Sequence, residues 1–268
     1  MTVSILIPAY NAAATLPGLL DSLRAQTRRA DEILVCDDGS AESPAGVLAA
    51  YPEARLVHQE HGGLSRARNT LLDAATGDIV IFADADDTVL PRWIEVLAGS
   101  IERTGADISV CGILAGKNLD ERRYTWPCTG DGVIRGDDFY RLQLRHPAGV
   151  YSYLPLVAMT RKMLFAEPRV RGVIGLQAHE DEVFLLQVAK KAAKVALSDE
   201  CLYNYIFYPT SLCAVYMRKT PTARVRYQYF LKDWSKFRIS GRPLFAIKAM
   251  RNLTLAGLRH FLKGEVLA

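Results

Sequence analysis

The chain has 268 residues, half of them apolar, enough for one large α/β domain or for a main domain with a smaller appendage. No run of about 20 uncharged apolar residues points to a transmembrane helix, and Cys36, Cys111, Cys128, Cys201 and Cys213, scattered and never in Cys-x-x-Cys spacing, argue against a disulfide framework or a zinc site. The net charge of +4 is unevenly spread: from Met217 onward 12 Lys or Arg stand against two acids, a net +10, so the first 216 residues carry −6, and a basic tail on an acidic body suggests two tasks.

The start, Met1-Thr2-Val3-Ser4-Ile5-Leu6, has neither the basic head nor the cleavage site of a signal peptide and reads as the first strand. A cytoplasmic protein is the expectation. Strand 3–7 is followed by Leu16, Leu19, Leu20 and Leu23, a spacing that puts leucines on one helical face. Strand 32–36 is followed by a helix containing Val47 and Leu48, strand 55–58 by a helix over 64–75, and strand 79–82 by a helix over 93–101. A strand over 107–114 closes the series. Short apolar strands alternating with helices imply a parallel sheet covered on both faces, with ligands bound beyond the carboxyl ends of the strands. Beyond this, the pattern gives a helix over 137–144, a loop over 169–177, a helix over 180–191 and short strands over 194–197 and 202–206. The division expected is 1–115, an α/β half, 116–216, a second half, and 217–268, a basic helical extension.

Polar residues collect at the strand tips: Pro8-Ala9-Tyr10-Asn11, Asp37-Asp38-Gly39-Ser40 and Asp84-Ala85-Asp86-Asp87. One acid at the last tip would suffice to cap the helix that follows. Three like charges call for a cation, and an oxygen-rich carboxylate pair suits Mg²⁺ or Mn²⁺ completed by water and phosphate. At the second tip Asp38 or Ser40 either caps an ordinary turn or accepts hydrogen bonds from a base or ribose. Arg66 and Arg68 sit near a helix start, where the dipole disfavours cations, so a bound diphosphate would supply their partner. In "AHEDEVFLLQVAKK" acids first and lysines last make a stable helix, while an acid in the first turn also suits a general base. His61 and His179 lack metal-site spacing and read as surface or hydrogen-bonded loop residues. No Gly-x-Ser-x-Gly elbow occurs, which removes the hydrolase triad reading.

In chain order, "VSILIPAYN", "DEILVCDDGS", "GGLSRARN", "ATGDIVIFADADD", "HEDEVF" and "LYNY" resemble the inverting nucleotide-sugar glycosyltransferases of family two. The resemblance spans about residues 3 to 212. It implies the GT-A fold, a Rossmann-like, mostly parallel central sheet flanked by helices, and a UDP-sugar donor. It also implies that Pro8, Ala9 and Tyr10 line the uracil pocket, that Asp38 accepts a hydrogen bond from the base, and that Arg68 faces the donor. Asp84-Ala85-Asp86 would be the family's DxD, with Asp84 on the ribose or sugar and Asp86 on Mn²⁺ or Mg²⁺. Asp181 would be the catalytic base. His61 stands where many relatives have Asn. Ile206-Phe207-Tyr208 stands where relatives often carry arginines, a role Arg218 or Lys219 would then take.

In the tail, Leu244, Ile247, Leu255, Leu258, Phe261 and Leu262 alternate with Lys248, Arg251, Arg259 and Lys263. This is a basic amphipathic helix that either packs on the domain or attaches peripherally to an anionic membrane at the inner face of the plasma membrane, where a saccharide or lipid-linked acceptor is extended. A nucleotidyltransferase and a non-catalytic nucleotide-sugar binder are the rival readings. A nucleic-acid partner is not expected, because the crevice is acidic and the basic segment carries no recognition motif.

Overall fold

The computed structural model describes residues 1–116, 123–124, 132–145, 153–176, 180–206 and 208. The expected tail helix, Arg218, Lys219 and His179 lie outside these residues. Strand β1 (Val3–Ala9) is buried along its whole length, because β2 (Glu32–Asp37) and β4 (Ile79–Phe82) pair with it on either side, both parallel. Helix α1 (Leu16–Arg24) buries Leu16, Leu19, Leu20 and Leu23. Each such leucine removed from water contributes about 1.5–3 kcal/mol before ordering entropy is subtracted. Next come α2 (Ala45–Leu48), β3 (Ala54–His58), α3 (Leu64–Ala74), a two-residue β5 (Thr88–Val89), α4 (Trp93–Thr104) and β6 (Ile108–Gly116). Helix α4 stops at Gly105, whose φ of +66° suits a residue without a Cβ and whose N–H bonds Ile101 O at 2.8 Å.

The remaining elements are β7 (Arg123–Tyr124), β8 (Gly132–Arg135), α5 (Gly136–Arg145), a 3-10 turn (Leu154–Leu156), β9 (Val157–Thr160), α6 (Arg161–Phe165), α7 (Glu180–Lys191) and β10 (Lys194–Ile206). The sheet runs β3-β2-β1-β4-β9-β6-β10-β5. Its first four strands are parallel, and β6 and β10 are parallel to each other.

Two features differ from the sequence reading. Strand β6 does not join the parallel block directly, because β9 lies between β4 and β6, antiparallel to both. The short strands expected over 194–197 and 202–206 are one strand, β10, with register shifts between Leu197 and Cys201 and between Cys201 and Tyr203. Such an irregularity bends a strand and re-aims the side chains beyond it. The side chains so placed are Tyr203 and Asn204. One apolar core extends from Val3 to Tyr205 across the 115/116 boundary, which falls at the end of β6. Among the described residues no helix is long and apolar enough to cross a membrane.

Candidate active site

The site lies at the carboxyl ends of β1, β2 and β4, and it opens where β1 and β4 part. Leu6 O accepts from Ala83 N–H and Ala9 O accepts from Asp38 N–H, so peptide groups of even-numbered β1 residues face β4. Pro8 therefore turns its hydrogen-free nitrogen toward β4 just past the last β1–β4 pair, Leu6 with Phe82. A missing donor there costs the sheet nothing. Pro8 and Ala9 are buried, and Tyr10 projects beyond them, 52% exposed, its ring 4.4 Å from that of His61.

Asp38, buried at the tip of β2, organises the approach to α3. Its Oδ1 accepts from Gly62 N–H at 2.8 Å and from the Gln59 amide at 2.6 Å, and its Oδ2 accepts from Gly63 N–H at 2.9 Å, with His61 Nδ1 at 3.0 Å. Gly39 makes this closure possible: its φ is +71°, and a Cβ would stand 2.8 Å from His61 N. Asp37 caps its own turn through Ser40 N–H at 2.9 Å and has His58 Nδ1 at 3.4 Å. Hydrogen bonds from Ser40 and its neighbours outweigh burial and hold the Asp37 carboxyl below the usual range.

The three acids after β4 have different surroundings. Asp87 is buried and bonded on both oxygens, by Tyr203 Oη at 2.7 Å and Ile206 N–H at 2.9 Å. Asp84, its side chain 26% exposed, lies 3.5 Å from Arg68. Burial pushes its carboxyl up to about 7; the Arg68 charge opposes that, while Asp181 and Asp86 add to it. Asp86 is half-buried and bonds no other residue among those described, and burial raises its carboxyl above the ordinary value. Between Asp84 and Asp86, Ala85 is buried.

Arg68, 2% exposed on α3, connects this turn to α7. Its Nη1 donates to Asp181 Oδ1, its Nη2 faces Asp84, and its guanidinium lies 5.8 Å over the Phe82 ring. Buried Nε has no partner among the described residues. Asp181 is held a second time, by Leu154 N–H on Oδ2 at 3.2 Å, and remains 17% exposed. Arg68 thus sits between two carboxylates that would otherwise repel, one from each side of the crevice.

The structure brings Asp84, Ala85, Asp86, Arg68 and Asp181 together, and places Asp38 with Tyr10 around the Gly62-Gly63 turn. Sequence reasoning missed Tyr203 as the anchor of the acidic turn, although "LYNY" stood out as a motif. It also missed the Leu154 N–H, a backbone contact that no side-chain pattern can signal. Arg66 folds over Gly62, where a Cβ would meet its Cδ at 2.2 Å. Among the described residues no three His, Cys, Asp or Glu side chains converge as a metal cage. Any divalent cation here would need ligands from a substrate and water.

The chain is 29% identical over 220 residues to the "Uncharacterized glycosyltransferase YibD" of Escherichia coli (strain K12), an alignment covering 78% of this chain and 62% of that protein, so the chain spans about three fifths of that relative. Its fold is similar to S. aureus TarS 1-349 in complex with UDP-GlcNAc, with a TM-score of 0.71 and 20% identity over 97% of this chain and 73% of that one. It is also similar to the mannosyltransferase PcManGT from Pyrobaculum calidifontis in complex with GDP-Man and Mn²⁺, with a TM-score of 0.61 and 19% identity over 99% of this chain and 76% of that one. Likenesses at that identity establish the GT-A fold. The family model described as glycosyl transferase family 2 matches residues 4–165, more than half of the chain, and the protein belongs to that family.

Proposed function

We propose that the protein is an inverting glycosyltransferase that moves a sugar from a UDP-sugar to a hydroxyl of a saccharide or lipid-linked acceptor, in the synthesis of cell-surface polysaccharide or lipopolysaccharide. The observation that carries this reading is the Asp181 carboxylate, fixed by Arg68 and Leu154 N–H yet partly open to the crevice across from Asp84 and Asp86. Family membership and the nucleotide-sugar complexes of TarS and PcManGT support it.

The donor set fits a divalent cation: Asp86 is a half-buried carboxylate with no protein partner among the described residues, and Asp84, two positions before it, is a second oxygen donor. Asp86 would hold Mn²⁺ or Mg²⁺ together with the donor diphosphate. When bound, the cation offsets the negative charge that grows on the departing UDP. Pro8, Ala9 and Tyr10 would flank the uracil, Asp38 would orient the base, and Asp84 and Ala85 would meet the ribose or sugar. Arg68 would face the donor and hold Asp84 and Asp181 in place by pairing with both. Each Asp181 oxygen keeps a lone pair beyond its present bond, so the carboxylate would take the acceptor hydroxyl proton as that oxygen attacks the anomeric carbon. One displacement from the opposite face turns an α-linked donor into a β-linked product. The basic segment 217–268 would hold the enzyme at the anionic inner face of the membrane.

UDP release measured with Mn²⁺ across a panel of nucleotide sugars and saccharide acceptors tests the reading. Acceptor-dependent UDP release is the expected result. Release of pyrophosphate would make the protein a nucleotidyltransferase, and donor binding without turnover would make it a binding protein.

A further inference from the structure

We propose that Asn69 is a positioning residue for Asp181, acting through Gly172 and Gln187 to set the distance between α3 and α7; the inference rests on Asp181 being the base. Asn69 holds one peptide unit from both ends. Its Nδ2 donates to Gly172 O at 2.9 Å, and its Oδ1 accepts from Gly172 N–H at 2.8 Å. An Asn side chain presents one donor and one acceptor at the spacing of a peptide, so it pairs with a single residue as a strand neighbour would. Asp offers no donor, and Gln reaches one methylene further.

The clamp is one link in a longer path. The carbonyl of Arg171, the residue before Gly172, accepts from Gln187 Nε2 of α7 at 2.9 Å. Asp73, one turn beyond Asn69, accepts from Arg171 Nη2 at 2.5 Å. Ser65, one turn before Asn69, packs so closely that a Cβ on Gly172 would stand 3.0 Å from its carbonyl oxygen. Ser65, Asn69 and Asp73 are spaced by four, so a single face of α3 receives the whole segment. Arg68, the neighbour of Asn69, touches Asp181 itself. Helix α3 therefore reaches α7 twice from adjacent residues: once at the carboxylate, and once through Gly172, Arg171 and Gln187 to the body of the helix. Arg171 and Gly172 contact neither the acidic turn nor the Gly62-Gly63 turn through any hydrogen bond among the described residues. Its effect is expected on the approach of Asp181 to the acceptor and not on donor binding.

A shift of about 1 Å in a reacting group lowers turnover by as much as about a hundredfold. Asn69→Ala should lower kcat by about ten- to a hundredfold while donor KM stays within about twofold. In an Asp181→Asn background, read as residual UDP release at high enzyme concentration, Asn69→Ala should cause no further loss. Gln187→Ala, at the far end of the path and remote from the donor, should reproduce the kcat effect and carries the test if Asn69→Ala does not fold. Wild-type kcat in both variants with Asp181→Asn inactive overturns the positioning role alone. An equal loss in both backgrounds, or a loss confined to donor KM, also overturns it. Full activity of Asp181→Asn overturns the base assignment and the positioning role with it.

Discussion

Tyr203 and Asp87, 116 residues apart in sequence, share a buried hydrogen bond of 2.7 Å in which the phenol donates. The same hydroxyl accepts from Asp84 N–H at 3.1 Å, and the other Asp87 oxygen accepts from Ile206 N–H at 2.9 Å. Asn204 Nδ2 donates to Thr88 Oγ1 at 2.9 Å, and Leu90 N–H to Leu202 O at 2.9 Å. The acidic turn after β4 is therefore fastened to β10 along its length. Asp87 is a fastening, which leaves Asp84 and Asp86 as the acids that face the crevice.

Tyr203→Phe keeps the ring, which packs 6.0 Å from Trp93, and deletes the hydroxyl. The Asp84 N–H and the Asp87 Oδ2 are then unpaired in a buried place, which costs about 1–3 kcal/mol. Urea denaturation should register that loss. The turn carrying Asp86 should loosen with it, so the Mn²⁺ concentration for half-maximal UDP release should rise. Unchanged stability and unchanged Mn²⁺ dependence would mean that the hydroxyl does not hold the turn.

Arg68→Met tests the cation between the two sides of the crevice. A methionine fills part of the space over Phe82 but leaves Asp84 and Asp181 facing each other without a counter-charge. Breaking a buried pair by removing one partner costs about 3–5 kcal/mol. Arg68→Lys should recover only part of it, because a point charge on a single stem cannot satisfy two carboxylates as a fork does. The loss, read by chemical denaturation, should differ little between 0.1 and 1 M salt, since buried charges are poorly screened, as about 10 and 3 Å Debye lengths apply only to solvent. A loss that vanishes in high salt would place Arg68 in solvent.

The parallel half of the fold was legible because β1, β2 and β4 carry apolar runs that suit burial on both faces and α1 carries its leucines on one. Residues 79–82 are followed by three acids within five positions, and that abrupt change marks the tip in the sequence itself. Strand β9 was not legible, since four residues, Val157–Thr160, paired on both sides carry too little period to separate them from a loop. The division of labour among Asp84, Asp86 and Asp87 was not legible either. It depends on Tyr203 and Ile206, which reach the turn only once β10 bends past its register shifts. Arg68 beside Asp181 joins residues 113 apart, a contact that helix dipole arguments hinted at only as a missing anion.

Glu102 offers a pH test away from the site. Its bidentate pairing with Arg28, at 2.8 and 2.9 Å, is the main reason its carboxyl falls to about 2; burial opposes this, and the N-terminal amine assists. A carboxyl lowered in the folded state contributes stability above its unfolded value of 4.5, and that contribution is lost as pH falls toward about 2. Glu102→Gln should therefore melt below the wild type at pH 6, and the two melting temperatures should converge between pH 4.5 and 2. The side chain is 34% exposed, so solvent screening keeps the difference small. A gap that widens on acidification would reverse the sign and refute the pairing.

Asp86→Asn and Asp181→Asn should fail in different ways. Removing the Asp86 charge takes away the one carboxylate of the turn with no protein partner among the described residues, so Mn²⁺ should no longer strengthen UDP binding and turnover should be abolished. Removing the Asp181 charge leaves the donor side intact. UDP affinity with Mn²⁺ should then stay within about twofold while acceptor-dependent UDP release falls by about 10²–10⁴, the range for loss of a general base. Calorimetric titration of UDP with and without Mn²⁺, beside the release assay, separates the two patterns. If Asp86→Asn keeps its Mn²⁺ response, the cation is held elsewhere; if Asp181→Asn transfers sugar at the wild-type rate, another group takes the acceptor proton.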